Sequence, residues 1–182
     1  MSTHDRLVHL LRHRSVRRQR VILASGRESD FYVDARQTTL HPEGAACIAE
    51  LVLDLLEDDV VGVGGPVTGA DPIVGATIVS AAATGRELFG FMVRKEAKKH
   101  GRGRVVEGVD NLSSGARVVV VEDTVTTGGS LLRALAHVEA AGLVVDEVVV
   151  VVDREEGAAE RIRDAGYRFR ALVGRTDLLE QP

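Results

Sequence analysis

From residue 42 onward, apolar positions alternate between stretches with helical spacing and short runs of β-branched residues. Ala45, Ile48, Ala49, Val52, Leu55 and Leu56 recur three and four residues apart behind Pro42, whose fixed φ suits a first helical turn. Cys47 falls in that predicted helix, as a packed rather than a reactive residue. Residues 60–63 predict a buried strand ending in Gly64, Gly65 and Pro66, residues 70–83 a helix of small residues, and residues 88–93 a second strand. Further along, residues 118–121 predict a strand, 130–140 a helix closed by Gly142, 148–152 a strand, and 157–165 a helix closed by Gly166; Leu172 and Val173 end a last strand. Valine runs separated by helices are the pattern of a mainly parallel sheet covered on both faces, so the predicted fold class is α/β.

Two segments leave this alternation. The first forty residues predict a separate flap or hood over a core of residues 41–175, within one domain spanning 1–182. Residues 95–115 carry Lys, Arg, Gly, Asn and Ser without a usable apolar period, and irregular stretches of that length are more often functional or mobile than structural.

Composition narrows the class. A chain of 182 residues with 45% hydrophobic residues can bury a core without staples, and its single cysteine makes no internal bridge, which fits a reducing compartment. The valine run at 148–152 is far short of the ~20 residues that span a bilayer, and the apolar stretch at 7–11 stops at Arg12 before it could serve as a secretory signal, so a cytoplasmic protein is expected. Six arginines crowd the first twenty residues, yet a net charge of −4, six aromatics and no Trp argue against a nucleic-acid surface; a solvated helix face accounts for them. His9 and His13 are spaced four apart without further ligands and read as surface residues.

The richest segment is Val118-Val119-Val120-Val121-Glu122-Asp123-Thr124-Val125-Thr126-Thr127-Gly128-Gly129-Ser130. In an open α/β sheet ligands bind beyond the carboxyl ends of strands, and backbone N–H groups at a helix start hold phosphate. Gly128 and Gly129 admit close backbone approach, while Thr126, Thr127 and Ser130 add hydroxyl donors. Glu122 and Asp123 would repel a phosphate and suit sugar hydroxyls instead. A phosphorylated sugar satisfies both halves. Simple helix capping by Asp123, Thr126 or Thr127 would need only one such residue. No G-x-x-x-x-G-K-[ST] or G-x-G-x-x-G fingerprint occurs. A second cluster stands out because the chain has only three lysines, Lys95, Lys98 and Lys99, all within five residues and flanked by Arg94 and His100; such a patch suits a polyphosphate.

The strand with two acids and a Thr/Gly loop resembles the phosphoribosyl diphosphate (PRPP) motif of the type I phosphoribosyltransferases. Three further segments narrow the resemblance to the orotate phosphoribosyltransferases: Ser25-Gly26-Arg27-Glu28-Ser29-Asp30-Phe31-Tyr32-Val33-Asp34, Arg94-Lys95-Glu96-Ala97-Lys98-Lys99-His100-Gly101, and Val152-Asp153-Arg154-Glu155-Glu156-Gly157. The resemblance implies the type I fold with an N-terminal hood, and transfer of the 5-phosphoribosyl group from PRPP to N1 of orotate, giving orotidine 5′-monophosphate and pyrophosphate in pyrimidine (UMP) synthesis. It implies that Mg²⁺ arrives with PRPP rather than in a protein-built site, and that a homodimer shares the mobile loop across subunits. It implies roles in catalysis for Lys95, Lys98 and Asp123. PRPP would meet Arg94, Lys95, Lys98, Lys99, His100, Glu122, Asp123, Thr124, Val125, Thr126, Thr127, Gly128, Gly129 and Ser130. Orotate would meet Thr126, Arg154, Phe31 and Tyr32.

Two departures stand against the family pattern: Ala24 precedes the S-G-R segment and Gly65-Pro66-Val67-Thr68-Gly69 lacks a lysine, where many members carry one. Transfer to another base, or a PRPP-sensing regulator without transfer, are the alternative readings.

Overall fold

Two valine runs form the centre of the molecule. In the computed structural model, which describes residues 1–17, 21–22, 28–29, 32–96 and 104–179 (backbone alone at 21–22 and 28–29), they occupy neighbouring strands of a six-stranded sheet. In chain order the elements are α1 (Thr3–Leu10), which continues into a π-helical turn (Leu11–Ser15), β1 (Val16–Arg17), β2 (Val21–Ile22), β3 (Glu28–Ser29), β4 (Tyr32–Val33), α2 (Arg36–Thr39) and α3 (Pro42–Leu53). There follow β5 (Val60–Pro66), α4 (Asp71–Ala83), β6 (Phe89–Val93), β7 (Val106–Glu107), a 3₁₀ turn (Val109–Asn111), β8 (Arg117–Val125) and α5 (Gly129–Ala140). The chain then forms β9 (Val144–Asp153), α6 (Ala158–Asp164), β10 (Arg168–Gly174) and α7 (Arg175–Leu179). The sheet order is β10-β9-β8-β5-β6-β7, parallel throughout except for the antiparallel β7.

Alternation along the strands divides the core. Val119, Val121, Val149 and Val151 face a cluster with α1, α3 and α4, whereas Val118, Val120, Val148 and Val150 face one with α5 and α6. A strand covered on both faces reads as an unbroken apolar run because successive side chains enter opposite layers. The α/β prediction is therefore met as three layers, with the carboxyl ends of β5, β6, β8 and β9 on one edge.

Several predicted boundaries shift. The strand expected at 118–121 runs to Val125, with Glu122 beside Val150 and Val125 beside Asp153 in the ladder, because β9 continues alongside it. The strand expected at 60–63 runs to Pro66, and α2 and α7 had no counterpart in the pattern. The irregular stretch expected at 95–115 holds β7, whose Val106 is buried against β6, so it is ordered structure from residue 104 on; residues 97–103 lie outside the described residues. The N-terminal segment is not separate from the core: Leu7 and Leu11 are fully buried in the cluster with α3. Arginines flanking these leucines, Arg6 and Arg12, and the further ones up to Arg20 mask the apolar stripe in the sequence. His9 and His13 are exposed and Cys47 is buried, as expected.

Replacing a leucine with no accessible surface leaves a void that its neighbours fill only partly. Leu11→Ala is expected to lower stability by about 2–5 kcal/mol in urea unfolding; a loss below about 0.5 kcal/mol, the range of surface substitutions, would place the N-terminal segment outside the core.

Candidate active site

The carboxyl end of β8 brings Glu122 and Asp123 side by side, both half-buried, with the Asp123 amide donating to Glu122 Oε1 at 3.1 Å. Gly69, in the loop after β5, packs against them so closely that a Cβ there would lie 2.5 Å from Glu122 Oε1 and 2.7 Å from Asp123 Oδ1. That loop is tied to the end of β6 by the Val67 amide, which donates to the Val93 carbonyl at 2.9 Å. Burial, reinforced by the Asp123 charge, pushes the Glu122 carboxyl up to about 8, and burial raises Asp123 as well. Asp71, at the start of α4, is also raised by burial, and its Oδ1 has no hydrogen-bond partner among the described residues. On the other side stands Arg36, 3.2 Å from Asp34 through its Nε; the bond to Asp34, and then the charge of Asp123, raise its pKa.

Immediately after these acids the chain leaves the sheet and enters α5. Gly128 takes φ +75°, a left-handed conformation open to glycine at little cost, and packs against Ile162 and Ala158 of α6. No side chain caps the helix, so capping by Asp123, Thr126 or Thr127 is not what these residues do here. The first-turn N–H groups of α5 point toward the sheet edge and carry the positive end of the helix dipole. Val125 differs from its neighbours: its side chain is buried in the core and its carbonyl accepts the Arg154 amide at 3.0 Å. Arg161 reaches back from α6 to donate to the Thr127 carbonyl at 3.4 Å, beside Gly129.

Arg154 follows β9 at the same edge and is only 8% exposed. Its Nη2 donates to Glu156 Oε1 at 2.9 Å, not to Asp153 or Glu155, while its Nε is buried with no partner among the described residues. A buried guanidinium with an unused donor is poised for an acceptor that arrives from outside. Arg94, past the end of β6, pairs with Glu107 at 3.3 Å and likewise has a buried Nε without a partner among the described residues. Lys95 is exposed beside it and Tyr32 is half-buried on β4. Phe31, Lys98, Lys99 and His100 lie outside the described residues, as does Ala24. A cavity of about 560 Å³ lined by Arg104, Val106, Val109, Leu112, His137 and Ala141 contains none of these groups.

This edge, with paired acids, a helix start and a buried arginine, is where relatives can be compared. The Phosphoribosyl transferase domain family matches residues 39–168. An orotate phosphoribosyltransferase of Mycobacterium tuberculosis (strain ATCC 25177 / H37Ra) is 47% identical over 173 residues, 94% of this chain and 94% of that protein. The chain belongs to the orotate phosphoribosyltransferase family. A second member, from Nostoc sp., is 45% identical over 160 residues, covering 88% of this chain and 77% of that protein. The crystal structure of the Mycobacterium tuberculosis H37Rv orotate phosphoribosyltransferase in complex with PRPP superposes with a TM-score of 0.79 at 41% identity, over 97% of this chain and 99% of that one. At 21% identity and a TM-score of 0.67, the adenine phosphoribosyltransferase of Leishmania donovani shares the fold. The fold class read from the sequence is thus that of the family, and the chain is a phosphoribosyltransferase.

Sequence reading did not single out Gly69, Asp71, Arg36, Glu155 or Arg161, which meet the expected residues through contacts distant in the chain. Only the position of Gly69 and Asp71 just past a strand end hinted at them. The raised Glu122 has a thermodynamic consequence. Native Glu122 keeps its proton to about pH 8, whereas an ordinary Glu releases it near 4.5. In that window the unfolded state binds fewer protons, so raising the pH favours unfolding. The melting temperature of the ligand-free protein is expected to fall between pH 5 and 8, and Glu122→Gln to flatten that fall; an unchanged slope in the variant would remove Glu122 as its source.

Proposed function

We propose that the protein transfers the 5-phosphoribosyl group of PRPP to N1 of orotate, with Glu122 and Asp123 on the ribose hydroxyls and the start of α5 on the 5′-phosphate. The observation that carries this reading is the succession at the end of β8: two adjacent, half-buried carboxyls, both raised by burial and one holding its proton to about pH 8, then a glycine-entered helix with no side-chain cap. Hydroxyl donors would relieve the acids and an anion would satisfy the helix start, and a sugar phosphate offers both at the right separation in sequence. On the base side, the unused Nε of Arg154 beside its Nη2 suits a planar carboxylate such as that of orotate, which favours this base over one without a carboxylate. Thr126 stands between the phosphate and base positions, with Tyr32, and Phe31 beside it in sequence, on the hood side.

In the reaction the C1′–O bond of PRPP breaks with its electron pair leaving on the diphosphate, and N1 of orotate bonds to C1′ from the opposite face, its proton passing to the departing diphosphate or to solvent. Positive charge grows on the ribose while negative charge grows on the leaving group. The carboxylates below the ribose stabilise the first, and Arg94, Lys95, Lys98, Lys99 and His100 the second; catalysis is then mainly positioning and charge stabilisation. Mg²⁺ bound to the diphosphate would neutralise part of its charge, and the buried acid pair at the ribose position fits a site that receives a cation together with its ligand.

The lysine-bearing loop acts across a homodimer in this proposal. Exposed apolar side chains are available to an assembly: α4 is built of small and apolar residues, and Val79 on it, Met92 of β6 and Leu40 are exposed. The product, a pyrimidine nucleoside monophosphate, would feed UMP synthesis.

Orotate absorbance should fall on mixing with PRPP, Mg²⁺ and protein, and stay constant if PRPP or Mg²⁺ is left out. Lys98→Ala should lower kcat by about 100-fold or more with folding intact. Constant absorbance despite PRPP binding would move the assignment to another base or to a sensor, and near-normal turnover by Lys98→Ala would refute the loop's role.

A further inference from the structure

Glu155, directly after Arg154, is the one non-glycine residue with positive φ among the described residues, at +56°. An L-residue is disfavoured in this region, and persists there when its surroundings hold it. Three contacts do so. Its amide donates to Asp153 Oδ1 at 2.9 Å, its Oε2 accepts the Thr176 hydroxyl at 2.8 Å, and its Oε1 accepts the Thr176 amide at 3.4 Å. Gly174, at the end of β10, leaves the room: a Cβ there would come within 2.5 Å of Glu155 Oε1.

The turn is thereby fixed from both ends. Before it, the Arg154 amide is bound to the end of β8 through Val125; after it, the Glu155 carboxylate is bound to the start of α7 through Thr176. Between the two ties lie the Arg154 side chain and the Glu156 carboxylate that holds its Nη2. Released from Thr176, residue 155 would relax toward an ordinary backbone conformation and turn the adjoining peptides, displacing Arg154 and Glu156 together. A bidentate contact to a carboxylate tolerates little of that displacement.

We infer that Glu155 is a positioning residue for base recognition, clamping the Arg154 turn onto α7 through Thr176. The inference rests on the reading above, in which Arg154 receives the carboxylate of the base. Neither Glu155 nor Thr176 touches a reacting atom. Their effect therefore falls on the affinity for the base and not on that for PRPP, whose phosphate and ribose contacts are on β8 and α5.

Steady-state kinetics with orotate and PRPP test this in four variants. Thr176→Val removes the hydroxyl donor at nearly constant shape, and Glu155→Gly removes the carboxylate at a position whose φ glycine adopts freely. Both should raise the orotate KM roughly three- to tenfold, the worth of one solvent-exposed hydrogen bond, while the PRPP KM stays within about twofold. Thr176→Ser should restore the wild-type value. Unchanged orotate KM in both variants, or orotate and PRPP KM rising in parallel, overturns the clamp. Arg154→Ala is the reference: if it raises the orotate KM while the clamp variants do not, the clamp alone fails; if it leaves the orotate KM unchanged, the base-side reading fails and the clamp with it.

Discussion

Two carboxylates on consecutive residues, drawn out of water at the end of the central strand, are the constraint around which this molecule is organised. Among the described residues Glu122 and Asp123 are withdrawn from water with no cation in direct contact, and Glu122 holds its proton far above the normal carboxylate range as a result. The rest of the fold keeps them there. The valines of β8 are locked between two helix layers, β9 extends alongside the acids in the ladder, and the loop at Gly69 closes over them where any side chain would collide. An arrangement that is electrostatically unfavourable when empty would, in the proposed function, acquire a partner from a polyhydroxylated, cation-bearing ligand. Family membership and the reading of PRPP as that ligand give the same answer to this frustration.

The parallel sheet turns one local device into a site. Because β5, β6, β8 and β9 all end on one edge, the acids, the start of α5, Arg94 and Arg154 converge although they are spread over sixty residues of chain. Each contributes an unmet demand of a different sign: carboxyls withdrawn from water, helix N–H groups without a side-chain cap, and guanidinium Nε atoms of Arg94 and Arg154 without acceptors among the described residues. The same edge is braced from outside by α6, which packs under Gly128, and by α7, which holds Glu155.

Much of this was legible in the residues, for a physical reason. Two-sided burial leaves long valine runs, and the step from such a run to acids, threonines and glycines marks the strand end at which ligands bind. Arg154 was visible by the same logic at the end of β9. What escaped depends on contacts between distant segments. Glu122 to Val125 resemble a loop by composition, and only the register with Val150, Val152 and Asp153 keeps them in the sheet. Leu7 and Leu11 hide among arginines, β7 is two residues long, and the carboxylate of Glu155 is bound by Thr176, twenty-one residues away. For the lysine absent from residues 65–69 there is one local observation: Gly69 lies flush against the acids, where a longer side chain has no room.

Carbon-13 NMR titration of the Glu122 carboxyl, in the empty protein and in the presence of saturating PRPP with Mg²⁺, tests the central constraint most directly. The empty protein should titrate at Glu122 near 8, and the ligand should lower that value by about two units or more as hydroxyl donors and positive charge favour the ionised form. An ordinary value in the empty protein, or a raised value unmoved by the ligand, would contradict the account.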